Sequence, residues 1–201
     1  MTPAPRGAQI YRLRMRPKDV GVALIAALCL LSGLLLMLNR TTATRSFQDE
    51  LTPLRLSYPV TWNSVDSLQD LALKVEDPDT PSAFKTTFSV EQRELDPAAP
   101  PTLQTLLDRR VEERQRLTAY HFLDESESEV GGARALVSEY AYVVQPIDEP
   151  RRAALPVVVR AREYIVIAGN QSYYFTLATP ESEYTRARRQ FDRIIQSTVL
   201  Q

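Results

Sequence analysis

Few residues in this sequence carry the side-chain chemistry that catalysis or metal binding requires. His121 is the only histidine and Cys29 the only cysteine among 201 residues. A site of clustered histidine and cysteine ligands is therefore excluded, and so is a disulfide within the chain. The six glycines form no phosphate-binding loop, and no serine lies in a nucleophile-elbow pattern. These observations argue against an enzyme, and we expect His121 to lie at a helix end, where a cation suits the helix dipole.

An acidic run provides the remaining candidate for a cation site. It contains Asp124, Glu125, Glu127 and Glu129, and in a strand the three glutamates would share one face. Carboxylate oxygens grouped in this way are ligands that calcium accepts. A solvated strand face is the commoner explanation of such a run, so we predict no metal site and no cofactor.

Four arginines are the candidate partner contacts. Arg151 and Arg152 lie in a polar connection, and Arg160 and Arg162 alternate along a predicted strand. Together they could form a basic patch that contacts an acidic partner or lipid headgroups. The alternative is that they are separate surface arginines.

A long apolar segment covers residues 20–38. Its 19 residues carry no charge, and as a helix they would extend about 28 Å, close to the thickness of a hydrocarbon core. We predict a transmembrane helix with these membrane-spanning residues: Val20, Leu24, Leu28, Leu31, Leu35 and Leu38.

The flanks of this segment predict its orientation. Residues 1–19 hold five basic residues and one acidic residue, so the positive-inside rule keeps them in the cytoplasm. The chain is then a single-pass protein of the cytoplasmic membrane with its C-terminal part outside. Residues 39–52 are polar and are predicted as a juxtamembrane linker. Cleavage after the small-residue site 41–43 remains an alternative to retention.

The remainder, residues 53–201, is predicted to be an extracytoplasmic domain. Of the 24 basic residues six precede residue 41, and of the 25 acidic residues one does, which leaves 18 basic and 24 acidic residues after it. This acidic balance argues against nucleic-acid binding, which needs a cationic surface.

Alternating apolar residues predict strands around two helices in this domain. Thr102 is the expected N-cap of an amphipathic helix of about 18 residues, and Gly131-Gly132 predicts a hairpin turn. Thr179 is the expected N-cap of a second helix over 181–199, with Pro180 in its first position. The pattern predicts an α+β fold in which an antiparallel sheet is flanked by two or more helices.

Three segments resemble the PsbP-like family, which is named for an extrinsic subunit of photosystem II and whose fold class includes DcrB-type and LpqN-type proteins. They read LRLSYPVTW from residue 54, VIAGNQSYYFTLATPESEY from residue 166, and QFDRIIQST from residue 190. The resemblance covers roughly residues 54–199. It implies a non-catalytic, membrane-tethered accessory or assembly protein that binds a membrane complex or a cell-envelope partner.

A second functional hypothesis comes from the aromatic residues of the predicted strands. Several tyrosines lie on these strands, and an amphipathic helix could cover the sheet. The domain would then be a carrier or sensor with a lipid or small-molecule pocket. Packing within the sheet is the alternative explanation for these tyrosines: Tyr140, Tyr142, Tyr164, Tyr173 and Tyr174.

Overall fold

A computed structural model describes residues 17–49, 52–65, 71–145 and 155–200. The chain divides into two compact units, Met1–Thr42 and Ala43–Gln201.

The described part of the first unit is one helix, α1, over Pro17–Thr42. Its described side chains, those of residues 20–34, are exposed and mainly apolar. They include four of the predicted membrane-spanning residues, whereas the side chains of Leu35 and Leu38 lie outside the described part. Over the part of the chain that the structure describes, no helix has the length and apolarity needed to cross a membrane.

The second unit contains two antiparallel sheets. In the smaller one, β1 (Thr44–Gln48) pairs with β2 (Arg55–Pro59). Strand β1 lies within residues 39–52, for which no strand was predicted, because its sequence TRSFQ has a single apolar side chain. Neighbouring strands of the larger sheet are all antiparallel. The larger sheet has seven strands in this order: β3 (Asn63–Ser64), β4 (Leu71–Asp77), β5 (Thr86–Glu94), β9 (Gln171–Pro180), β8 (Val157–Ala168), β7 (Ala133–Val144) and β6 (His121–Val130).

Two helices cover opposite faces of the seven-stranded sheet. Helix α2 (Leu103–Arg114) packs against one face, where its buried leucines meet Ile165 and Tyr174. Helix α3 (Tyr184–Gln196) packs with the neighbouring strand residues Val166 and Phe175. Since successive residues of a strand point to opposite faces, the two helices are on opposite sides. The predicted α+β fold, an antiparallel sheet flanked by helices, is confirmed.

The larger of the two cores lies between the sheet and α3. Phe191 of α3 is fully buried and contacts the rings of Phe88 and Tyr164, with centroids 5.7 and 5.5 Å away. Leu56 of β2 and the preceding Leu54 are also buried in this core, as is Trp62. These contacts follow from the alternation of apolar residues along the strands and their helical spacing in α3.

Helix α2 begins as predicted but ends early. The Thr102 side chain accepts a hydrogen bond from the Thr105 backbone N–H, which confirms the N-cap. The helix has 12 residues instead of about 18, because the chain turns after Arg114 and Ala119 takes a positive φ of 52°. His121 is therefore the first residue of β6, and its prediction at a helix end is wrong.

The turn at Gly131-Gly132 joins β6 to β7, as predicted. Gly131 has a φ of +57°, and an added Cβ would lie 3.2 Å from the Leu200 backbone nitrogen and 3.3 Å from the Thr198 oxygen. Gly169, with a φ of +59°, has no atom within 4 Å of that position. The two glycines thus share a conformation but differ in their surroundings.

We expect Gly131→Ala to destabilise the domain more than Gly169→Ala. Both changes place an alanine in the left-handed region of φ, which costs about 1–2 kcal/mol. Only the change at Gly131 also pushes against the backbone of the C-terminal segment. Urea unfolding of the two variants measures the difference, and equal losses of stability would contradict the close approach.

Thr179 and Pro180 do not cap a helix as predicted. Strand β9 continues to Pro180, and Thr179 pairs with Arg160 of β8. A short 3-10 helix (Glu181–Glu183) then precedes α3, and no side chain caps either one. The Thr179 hydroxyl is buried and lies 2.8 Å from that of Thr86 on β5. The sequence favours a cap because Thr-Pro-Glu is a common helix start, but pairing with β8 and β5 extends the strand.

We expect Thr179→Val to cost about 1–3 kcal/mol of stability, because it leaves the buried Thr86 hydroxyl without this partner. The double variant Thr86→Val/Thr179→Val removes both hydroxyls and should recover much of that loss. Denaturant unfolding of the two single variants and the double variant measures the coupling. Simple additivity would contradict a direct hydroxyl pair.

Candidate functional site

Glu163 of β8 forms the centre of a buried charged cluster beneath α2. Its side chain is 0% exposed. Three groups donate to its Oε1: Arg110 Nε at 2.9 Å, Arg114 Nη2 at 3.1 Å and Thr176 Oγ1 at 2.8 Å. A carboxylate is costly to bury, and these donors offset that cost.

The local structure explains how these groups meet. Glu163 and Ile165 are two residues apart on β8, so both face α2. Arg110 and Arg114 are four residues apart on α2 and therefore lie on one side of the helix. Thr176 is the direct neighbour of Glu163 on β9. The contacts thus follow from strand alternation, helix spacing and strand register together.

Arg110 extends this cluster towards β5. Its Nη2 donates to Glu91 at 2.5 Å, and its Nη1 donates to Glu113 at 3.0 Å. The guanidinium also lies over the ring of Tyr174, 4.5 Å from the centroid. Arg93 contacts the same two glutamates from the outside, at 2.6 and 3.2 Å. The result is a connected network of alternating charges.

The network keeps the Glu163 carboxylate ionised. Burial alone would raise the pKa of Glu163, but the positive charges of Arg110 and Arg114 and the Thr176 hydrogen bond lower it below the ordinary value. Burial likewise opposes the charge of Arg110, yet Glu163 and Glu91 raise its pKa. A general base works best with a pKa near the working pH, so a carboxylate held in this way is a poor proton acceptor.

A second buried glutamate lies on the opposite face of the sheet. Glu139 of β7 accepts a hydrogen bond from Arg160 at 2.8 Å and another from Arg162, both on β8. Arg160 also contacts Glu181 at 3.3 Å and lies over the Tyr184 ring at 4.0 Å. This cluster faces α3, and like the first it pairs one glutamate with two arginines.

The same opposition of burial and charge applies here. Burial would raise the pKa of Glu139, but hydrogen bonding from Arg160 and the charge of Arg162 lower it. Burial and the neighbouring Glu139 carboxylate raise the pKa of Tyr184 to about 12. Both groups are thereby fixed in one protonation state over the neutral range.

The predicted basic patch has a different arrangement in the structure. Arg160 and Arg162 both donate to the buried Glu139, and Arg160 also contacts Glu181. Arg151 and Arg152 lie outside the described residues. The role of these four arginines in partner contact stays a prediction.

A cleft of about 350 Å³ lies beside α2. Tyr174 and Ser172 of β9 line it. Six of its twelve lining residues are charged, with both signs represented, which suits an acyl chain poorly. The charged residues are Arg93, Glu94, Asp96, Arg109, Arg110 and Glu113.

The strand tyrosines are mainly core residues. Tyr140, Tyr164, Tyr173 and Tyr174 are all buried. Tyr140 contacts the ring of Tyr142 at 6.1 Å between centroids. Packing within the sheet therefore accounts for most of these residues, and Tyr174 also lines the cleft beside α2.

The acidic run lies on β6, at the edge of the sheet. Glu125, Glu127 and Glu129 pair with Ser138, Leu136 and Arg134 of β7. The three glutamates therefore share one face as predicted, and this is the face that α2 covers. Every residue of β6 except Val130 is exposed. Among the described residues, no group of three or more histidine, cysteine, aspartate or glutamate side chains is arranged to hold a metal ion.

A second groove, also of about 350 Å³, lies between α2 and β6. Val111 and the buried Leu107 of α2 and Phe122 of β6 supply its apolar surface. Three carboxylates and one amide complete it, and no basic residue lines it. These polar residues are Asp108, Glu112, Gln115 and Glu125.

Sequence patterns did not identify Glu163 or its partners. A signal was available, because Glu163 stands two residues before Ile165 on a face that is otherwise apolar. A charged residue at such a position needs a buried partner. The identity of that partner depends on how α2 crosses the sheet, which sequence spacing does not specify.

No family model and no curated protein matches this sequence. Solved structures of similar fold do exist. Cyanobacterial PsbP (CyanoP) from Synechocystis sp. PCC 6803 is similar with a TM-score of 0.58 and 15% identity, over 79% of this chain and 93% of that one. LpqN of Mycobacterium tuberculosis, a protein involved in cell envelope biogenesis, has a TM-score of 0.58 and 10% identity, over 78% and 90%.

These similarities define the class of fold. The chain is an α+β protein whose antiparallel sheet lies between two helices. More particularly, it has the PsbP-like fold. At these identities the likeness concerns the fold alone.

Proposed function

We propose that this protein is a non-enzymatic accessory protein whose folded domain binds a partner in a membrane complex or in the cell envelope. The PsbP-like fold supports this proposal, since a solved protein of this fold, LpqN, is involved in cell envelope biogenesis. The proposal places the function on the surface of the domain and assigns a structural role to its buried charges.

The observation that carries the proposal is the pairing of both buried glutamates. Glu163 is bound by two arginines on one face of the sheet, and Glu139 by two arginines on the other. Each carboxylate has a lowered pKa and is held ionised. The groups whose burial could prepare them for catalysis are thus engaged in stabilising the fold.

We also propose that α1 tethers this domain to the cytoplasmic membrane, with residues 1–19 in the cytoplasm. The apolar side chains of residues 20–34 support a lipid environment, because they are exposed on the helix. The uncharged sequence continues from residue 34 to residue 38. The excess of basic residues before residue 20 supports the orientation.

Crosslinking in native membranes tests the accessory function. The full chain carries an affinity tag. It is treated in the membrane with a short-span photo-crosslinker that does not need lysine side chains, and it is then purified under denaturing conditions. We expect a reproducible adduct with a membrane or envelope protein. A chain that migrates alone under all crosslinking conditions would refute the proposal.

A further inference from the structure

We propose that the groove between α2 and β6 binds a basic, extended segment of the partner protein, which adds as a strand to the free edge of β6. This inference deepens the proposed function and rests on it. The groove is called the α2–β6 groove below and consists of Leu107, Asp108, Val111, Glu112, Gln115, Phe122 and Glu125.

Strand β6 offers a sheet edge. Among the described residues it is the last strand of the sheet and pairs with β7 on one side only. It is 10 residues long, so its outer side presents a row of backbone donors and acceptors that an added strand can use. Phe122 is 38% exposed and Leu123 42%, which provides apolar contacts at the start of this edge.

The groove is acidic. Glu112 and Glu125 flank it, and neither forms an ion pair within the described residues. Glu127 and Glu129 continue the carboxylates along the same face of β6, where Glu127 also pairs with the exposed Arg134. An added strand with lysine or arginine at alternate positions would place those cations above this row. The aliphatic part of such a side chain would also fit the apolar surface of Val111 and Phe122.

The same charges argue against other occupants. Pairing of β6 with β6 of a second copy would bring rows of carboxylates together, and like charges across strands are destabilising. An anionic lipid surface would be repelled for the same reason. A basic protein segment is the occupant that both the edge and the charges favour.

Site-directed photo-crosslinking of the full chain in native membranes tests the inference. A photoreactive phenylalanine analogue replaces either Phe122 in the groove or Arg189, an exposed residue of α3. We expect an adduct from the position of Phe122, and mass spectrometry should map it to a partner segment with basic residues at alternate positions. The double variant Glu112→Lys/Glu125→Lys should lower the yield at least tenfold.

Asp124→Lys is the matched control. Asp124 is on the same strand but pairs with Glu139, so it lies on the opposite face of the sheet. We expect this variant to keep the yield within about twofold, and Trp62 fluorescence confirms that each variant is folded.

The outcomes separate the inference from the proposed function. Adducts from the position of Arg189 alone would overturn the α2–β6 groove and leave the accessory function standing. The inference would also be overturned if the adduct yield at the position of Phe122 were the same in the double variant Glu112→Lys/Glu125→Lys. Adducts at that position with lipid or with a second copy of the chain would overturn it as well. No adduct from either position would count against the proposed function itself.

Discussion

Replacing Glu163 with alanine is expected to remove about 3–5 kcal/mol of stability, because it leaves the buried Arg110 and the half-buried Arg114 without their shared carboxylate. Arg110 keeps Glu91 and Glu113, but its Nε loses its partner in a fully buried position. The Thr176 hydroxyl loses its acceptor as well. Urea unfolding of the full chain in uncharged detergent micelles measures the loss, with the buried Trp62 as the fluorescent reporter.

Glu127→Ala is the control for this prediction. Glu127 is also a strand glutamate that accepts from an arginine, Arg134, at 3.0 Å, but its side chain is 71% exposed. Exposed pairs of this kind contribute about 0–1 kcal/mol. A loss below about 1 kcal/mol for Glu163→Ala, or one equal to the control, would contradict the structural role of the buried cluster.

Acid is expected to destabilise the domain through the same carboxylates. The folded-state pKa of Glu163 and of Glu139 is lowered from the ordinary glutamate value of 4.5. The stability that their charges provide is therefore complete above pH 4.5 and is lost as the pH falls through the lower folded-state values. The loss of stability on full protonation of Glu163 should approach the cost of breaking its ion pairs, about 3–5 kcal/mol.

Unfolding midpoints measured from pH 7 down to the acid limit of folding test this dependence. We expect a plateau near neutral pH and a decline below about pH 4.5 in the wild-type chain. Glu163→Gln cannot titrate at this position, so it should start less stable and decline less steeply. Parallel curves for the two chains would show that Glu163 is not responsible for the acid sensitivity.

The strands and helices of the domain were largely predictable because their signals are local. Alternation of apolar residues predicted the strands around the two helices, and the Gly131-Gly132 pair predicted the hairpin between β6 and β7. The Thr102 cap was correct for a similar reason, since its acceptor and donor are three residues apart. Local hydrogen bonding and periodicity need no knowledge of the rest of the fold.

The errors occurred where contacts distant in sequence decide the structure. Thr179 continues β9 because β8 and Thr86 of β5 pair with it, 93 residues away in the latter case. Strand β1 forms because β2 is its partner, although its own sequence favours no strand. The pairing of Arg160 and Arg162 with Glu139 likewise depends on the register of β7 and β8, which spacing along the sequence does not specify.

The charged clusters were also not predictable from the sequence, because they depend on contacts between distant elements. The sequence contains Glu163 and Arg110, but 53 residues separate them and only the position of α2 on the sheet brings them together. By contrast, the placement of Glu125, Glu127 and Glu129 on one face follows from alternation alone. Faces of single elements were predictable, and contacts between elements were not.

The most direct test of the account compares partner binding by Glu163→Gln with that of the wild-type chain. Our central claim is that buried charges stabilise the domain while its surface binds the partner. We therefore predict an unchanged yield of the partner adduct in native membranes, at a temperature where Trp62 fluorescence shows the variant to be folded. A folded Glu163→Gln chain that has lost the adduct would contradict the claim, because Glu163 would then act in the function itself.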